Sequence, residues 1–116
     1  MIKKYYTTDE KAKKHEYLSP FLNSMYQEFK DLAKKNPDAV ISKGKIKIAN
    51  RLLEKLCTIF EGKSYSDLLD LLDENDLPQA SDVALILSQY QSAMEQFKEE
   101  HYGWSNSESD NIWYVK

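Results

Sequence analysis

Between Ser81 and Tyr102, apolar side chains return every three or four residues, at Val83, Ile86, Leu87, Tyr90, Met94 and Phe97. That spacing follows the α-helical period of 3.6 residues and not the two-residue period of a strand. A helix over this stretch is about 30 Å long at 1.5 Å per residue, enough to span a small bundle. Ser81 reads as its N-cap, Asp82 suits the positive end of its dipole, and Gly103 reads as its stop. A helix with one long apolar stripe needs other apolar faces to cover it.

The chain supplies such faces upstream. Thr7 and Glu10 form a capping-box pair that predicts a short helix from Asp9 to Tyr17. Ser19 then caps a new helix with Pro20 at its first position, and Phe21, Leu22, Met25, Tyr26, Phe29, Leu32 and Ala33 share one arc. Asn36-Pro37 ends it. Residues 38–44 are ambiguous, because Val40, Ile41, Ile46 and Ile48 also suit a short strand. The preferred reading is a helix from Lys45 to Glu61, with Ala49, Leu52, Leu53, Leu56 and Phe60 as its core line and Gly62 as its stop. Ser64 and Asp67 open a third helix that buries Leu68, Leu69, Leu71 and Leu72 and ends at Asn75–Pro78. The tail from Trp104 to Lys116 turns aromatic and β-branched at 112–115, and is expected to dock on the helices.

The fold predicted is all-α: a small antiparallel bundle of about four main helices, with a short N-terminal helix and an aromatic C-terminal tail. It reads as a single helical domain over 1–116, with a polar segment at 1–18, a helical core at 19–103 and a tail at 104–116. The scarcity of glycine and proline, three of each, argues against a turn-rich β fold. No run approaches the roughly 18 apolar residues of a membrane span. The basic start Met1–Tyr6 is not followed by the apolar stretch of a secretory signal. A lone cysteine, Cys57, adds to the expectation of a reducing cytosol, and the chain reads as bacterial.

Charge is unevenly placed. Residues 1–55 carry thirteen Lys/Arg against seven Asp/Glu, while residues 56–116 carry three Lys against twelve Asp/Glu. Either basic and acidic helices neutralise one another within the fold, or the asymmetry marks a binding surface. Its sharpest element is the row Lys43, Lys47, Arg51 and Lys55, which recurs at intervals of four on the side of its helix away from the leucines. Such a row can meet an acidic protein surface or follow phosphates, or it can be an ordinary solvated face.

Catalytic patterns are weak. The glycines at 44, 62 and 103 form no phosphate-cradling loop. One cysteine excludes paired-cysteine zinc motifs. Cys57 with His15 or His101 would be a nucleophile–base pair, but Cys57 flanks a leucine-rich face and reads as structural. His101 beside Glu99 and Glu100 suits a helix C-terminus better than a ligand set. The acidic run Asp67, Asp70, Asp73, Glu74 and Asp76 lacks the glycine and final glutamate of a calcium loop.

The expected function is therefore non-enzymatic: a protein-binding or regulatory chain of the adaptor, inhibitor, antitoxin or immunity type, with no cofactor or metal. Its candidate partner-binding residues are Lys43, Lys47, Arg51, Lys55, Leu85, Trp104, Trp113 and Tyr114. Leu85 belongs to this set because it points away from the stripe of the last helix. Trp104, Trp113 and Tyr114 belong because aromatic residues are enriched at interfaces. A protein partner is expected, an acidic one for the basic row, and no membrane. A nucleic-acid-binding regulator using the basic helix 45–61 is the alternative, weakened by the acidic second half. Self-assembly through basic and acidic faces is a third.

Overall fold

A computed structural model describes residues 5–116; most of the basic start, Met1–Lys4, lies outside the described residues. The chain forms three α-helices, α1 (Asp9–Lys35), α2 (Lys43–Ile59) and α3 (Ala80–His101), followed by strands β1 (Tyr102–Ser105) and β2 (Asp110–Trp113). It is mostly helical, but it is not a four-helix bundle. Three departures from the sequence expectation account for the difference.

The first is that the two N-terminal helices are one. Thr8, not Thr7, caps α1, its side chain accepting from the Lys11 N–H at 3.1 Å. The helix then runs through Ser19 and Pro20 without a break. Proline removes a rung of the ladder and is ordinarily a helix breaker. Here the buried residues Ala12, His15, Leu18, Leu22 and Phe29 keep helical spacing across it, and their burial outweighs the lost hydrogen bond. Ser19 does not act as a cap: its hydroxyl turns back and donates to the His15 carbonyl.

The second is that no α-helix opens at Ser64. A 3-10 turn covers only Ser64–Leu68, and residues 69–78 run as irregular chain. Of the four leucines expected to be buried there, only Leu72 is fully so. Two side chains claim backbone groups that a helix would need. Asn50 of α2 donates to the Leu72 carbonyl and accepts from the Leu72 N–H, each at 2.8 Å. Asp73 accepts from the N–H groups of Asn75 and Asp76, closing a local turn.

The third is that α3 ends at His101, short of Gly103, and the tail beyond it folds back as a β-hairpin. Gly103 lies inside β1, which pairs antiparallel with β2 in the register Tyr102↔Trp113 to Ser105↔Asp110. Ser109 supplies a left-handed residue in the turn, at φ 52°. Smaller shifts are that Ser42 caps α2, and that α3 begins after Gln79 with the Asp82 carboxylate accepting from the Gln79 N–H. Gly62 does follow the end of α2, in the left-handed region at φ 83°.

The contacts set the topology. Lys11 and Lys14 of α1 reach Glu61 and Thr58, at the far end of α2, so α1 and α2 are antiparallel. His15 reaches Met94 and Asn23 reaches Gln91, so α1 and α3 are antiparallel too. It follows that α2 and α3 run parallel. The segment between them must return along the whole of α2, about 25 Å. It passes Asn50 at Leu72 and ends where Val40 bridges Gln79. Leu22, Leu53, Leu56, Phe60, Leu87, Tyr90 and Phe97 lie in the one core that all three helices share. No described helix is long and apolar enough to cross a membrane.

Candidate functional site

Two of the four residues of the basic row meet an apolar surface. α1 and α2 leave a groove of about 700 Å³ between them on one flank. Its floor is Leu18, Phe29 and Leu52, all buried, with Met25 and Leu32 half-buried beside them. Its walls carry Phe21, 63% exposed, and Ile48, 57% exposed, which an isolated chain leaves in water. Lys45, Arg51 and Lys55 stand along the α2 wall, and Glu28 is an acidic member of the α1 wall. Apolar walls with cations along one edge suit an amphipathic ligand whose polar side is acidic.

The helical period explains this arrangement. At 100° per residue, Ile48, Leu52 and Lys55 fall within one narrow arc, with Arg51 at its edge. Lys43 and Lys47 lie further round the helix, and neither lines the groove. Both are exposed, so the row is split between the groove edge and the outer face of α2. Phe21, Ile48 and Lys45 were not among the expected binding residues. The signal for Phe21 was available, since it lies one residue off the line Leu18–Leu22–Phe29 that faces the core.

The other expected binding residues are dispersed. Leu85 is exposed on α3. Trp104 is exposed on β1, and its indole N–H donates to Asn106. Trp113 is half-buried and docks the hairpin: its ring lies 4.9 Å from His15 and 5.3 Å from Tyr102, and its N–H donates to Glu16 at 2.7 Å. The Tyr114 hydroxyl donates to the Trp104 carbonyl. The tail is thus laid on α1 and α3, and Thr7 bridges Val115 beside it.

Cys57, His15 and His101 do not converge. The Cys57 sulfur lies 3.5 Å from the Tyr90 hydroxyl, which donates to the Asp70 carbonyl. Burial and the nearby Cys57 push the Tyr90 hydroxyl pKa well up. The His15 ring donates from Nε2 to the Met94 carbonyl at 2.8 Å. The Lys63 ammonium donates to His101 Nε2 at 2.7 Å, so His101 carries its proton on Nδ1 and donates it to the Tyr5 carbonyl. Both imidazoles are buried, and burial holds both pKa values below the ordinary histidine value. Lys63 also pairs with Glu100 at 3.3 Å, and Tyr65 donates to the same carboxylate. These polar groups are committed to holding the chain ends and the 3-10 turn against α3. Among the described residues, no cluster of histidine, cysteine or carboxylates could hold a metal ion.

Compared with protein-family models, curated proteins and solved structures, the chain matches none of them.

Proposed function

We propose that this chain is a non-enzymatic binding protein whose α1–α2 groove takes an acidic amphipathic helix from a partner protein. The observation that carries the reading is the coincidence of exposed Phe21 and Ile48 with Lys45, Arg51 and Lys55 on one groove. The cations extend over about 15 Å of α2, close to three turns of a bound helix. Leucines at i, i+3, i+4 and i+7 of such a helix would cover the apolar walls, and its carboxylates would face the α2 edge. A partner held this way is occupied rather than altered, as adaptors, inhibitors, antitoxins and immunity factors occupy theirs.

The test is fluorescence anisotropy with two labelled helical peptides of identical leucine pattern, one with glutamate and one with lysine at the remaining positions. The acidic peptide should bind, and raised salt should weaken it. Phe21→Ser should weaken binding at any salt concentration. Arg51→Glu with Lys55→Glu should weaken it at least tenfold and reduce its salt dependence. Equal binding of both peptides, or indifference to both sets of substitutions, would remove the groove from the account. Duplex DNA in the same assay addresses the nucleic-acid reading, for which no arrangement of the basic row offers specific support.

A further inference from the structure

We infer that the groove of one molecule also accepts the acidic segment Ser66–Leu77 of a second copy of this chain. This rests on the groove being a docking site for acidic amphipathic segments. The chain carries a non-helical acidic segment of this kind on its own surface, the end of the 3-10 turn and the irregular chain after it. Leu68 is 68% exposed, and Leu71 and Leu77 are exposed with it. Asp67, Asp70 and Asp73 alternate with these leucines, and all three are exposed. Exposed leucines interleaved with aspartates are the chemical complement of exposed Phe21 and Ile48 edged by Lys45, Arg51 and Lys55.

The segment is held ready rather than loose. The Asn50 amide grips both backbone groups of Leu72, and the Tyr90 hydroxyl binds the Asp70 carbonyl. Fixing the backbone while Leu68 and Leu71 face outward lowers the ordering entropy of docking.

Geometry makes the contact intermolecular. Asn50 and the groove residues Ile48 and Leu52 lie on opposite flanks of α2, roughly 160° apart around the helix. A molecule cannot fold its own segment into its own groove. A second copy can bring its segment there, and the two contacting surfaces then differ. Such a head-to-tail contact leaves one groove and one segment open at the ends of an open assembly and none in a closed ring.

The experiment uses the full chain in analytical ultracentrifugation, from micromolar to millimolar concentration. Two variants separate the halves of the contact: a segment variant, Leu68→Ser with Leu71→Ser, and a groove variant, Arg51→Glu with Lys55→Glu. All four positions are exposed, and circular dichroism of each variant checks that its helices are kept. The parent chain should gain mass with concentration and lose it at high salt, and each variant alone should stay monomeric. An equimolar mixture of the two should form a dimer and go no further, since only one groove and one segment remain competent. A parent chain that is monomeric throughout overturns the inference. So does a variant that associates as the parent does, or a mixture that stays monomeric. The acidic peptide of the preceding section tells the two failures apart. Peptide binding to a monomeric parent rejects self-docking and keeps the groove. Loss of both rejects the groove itself.

Discussion

Replacing Asn50 by alanine should release the segment between α2 and α3. The amide makes two hydrogen bonds to the backbone of Leu72, both at 2.8 Å, and both residues are buried. Truncation leaves the Leu72 N–H and carbonyl without these partners. An unsatisfied buried polar group costs about 1–3 kcal/mol, so the pair should destabilise the fold by about 2–6 kcal/mol. With a urea m-value of about 2 kcal/mol/M, the midpoint should fall by roughly 1–3 M. Urea unfolding followed by circular dichroism measures this, and amide exchange at Leu72 shows whether the loss is local to the segment. Asn50→Asp sharpens the test. It keeps an acceptor for the Leu72 N–H but sets a carboxylate against the Leu72 carbonyl. Burial and that carbonyl should raise the new carboxyl pKa in the folded state above its unfolded value of about 3.9. The folded state then holds the extra proton, so stability is lost as pH rises through the folded value. The deficit of this variant relative to the parent should therefore shrink as pH is lowered from 7 to 5. An alanine variant within about 0.5 kcal/mol of the parent, with Leu72 exchange unchanged, would refute the claim that this amide holds the segment.

Four further outcomes follow from the fold. His15 and His101 have pKa values lowered by burial, so the unfolded chain binds protons first as pH falls. Stability should be full above about pH 6.5 and decline below it, by up to about 1.4 kcal/mol per pH unit for each histidine. Urea midpoints at pH 7.5 and 5.5 check this, and an unchanged midpoint would contradict it. Pro20→Ala restores an N–H inside α1 and should stabilise by about 1–2 kcal/mol, the gain in the helix being partly offset by a freer unfolded chain. Gly62→Ala meets no atom within 4 Å but must adopt φ 83°, so thermal unfolding should show a loss of about 1 kcal/mol from conformation alone. Trp113→Ala removes ring contacts to His15, Phe97 and Tyr102 and the bond to Glu16, and should lower stability by about 2–4 kcal/mol, with amide protection lost first in the hairpin.

The helices that bury a regular stripe were legible in the sequence. Val83, Leu87, Tyr90, Met94 and Phe97 place α3 to within a residue or two, and Leu52, Leu53, Leu56 and Phe60 do the same for α2. Reasoning failed where local and tertiary signals compete. Ser19-Pro20 has the chemistry of a helix start, yet the apolar line through Leu18 and Leu22 continues across it, and long-range burial decides. Leu68 to Leu72 has the spacing of a helix, yet Asn50, at least 18 residues away, captures the backbone at Leu72. Hydropathy alone does not tell a leucine that is buried from one that is displayed. For the site, Arg51 and Lys55 were identifiable from their spacing. Their apolar setting was not, because Phe21 comes from another helix and the groove exists only once α1 and α2 pack antiparallel.

The lacing of the two ends of the described chain has a kinetic consequence. Thr7 and Val115 bridge, the Lys116 N–H donates to the Thr7 carbonyl, and the Tyr5 N–H donates to Glu100. Closing a loop of this length from an open chain carries an entropy penalty of about 4 kcal/mol, far more than one bridge returns. The closure becomes favourable only after α1 and α3 have docked and brought the ends together. The terminal lacing therefore forms late in folding and opens early in unfolding. The amides of Tyr5, Thr7, Tyr114 and Lys116 should exchange together, ahead of the helical core, as one cooperative unit.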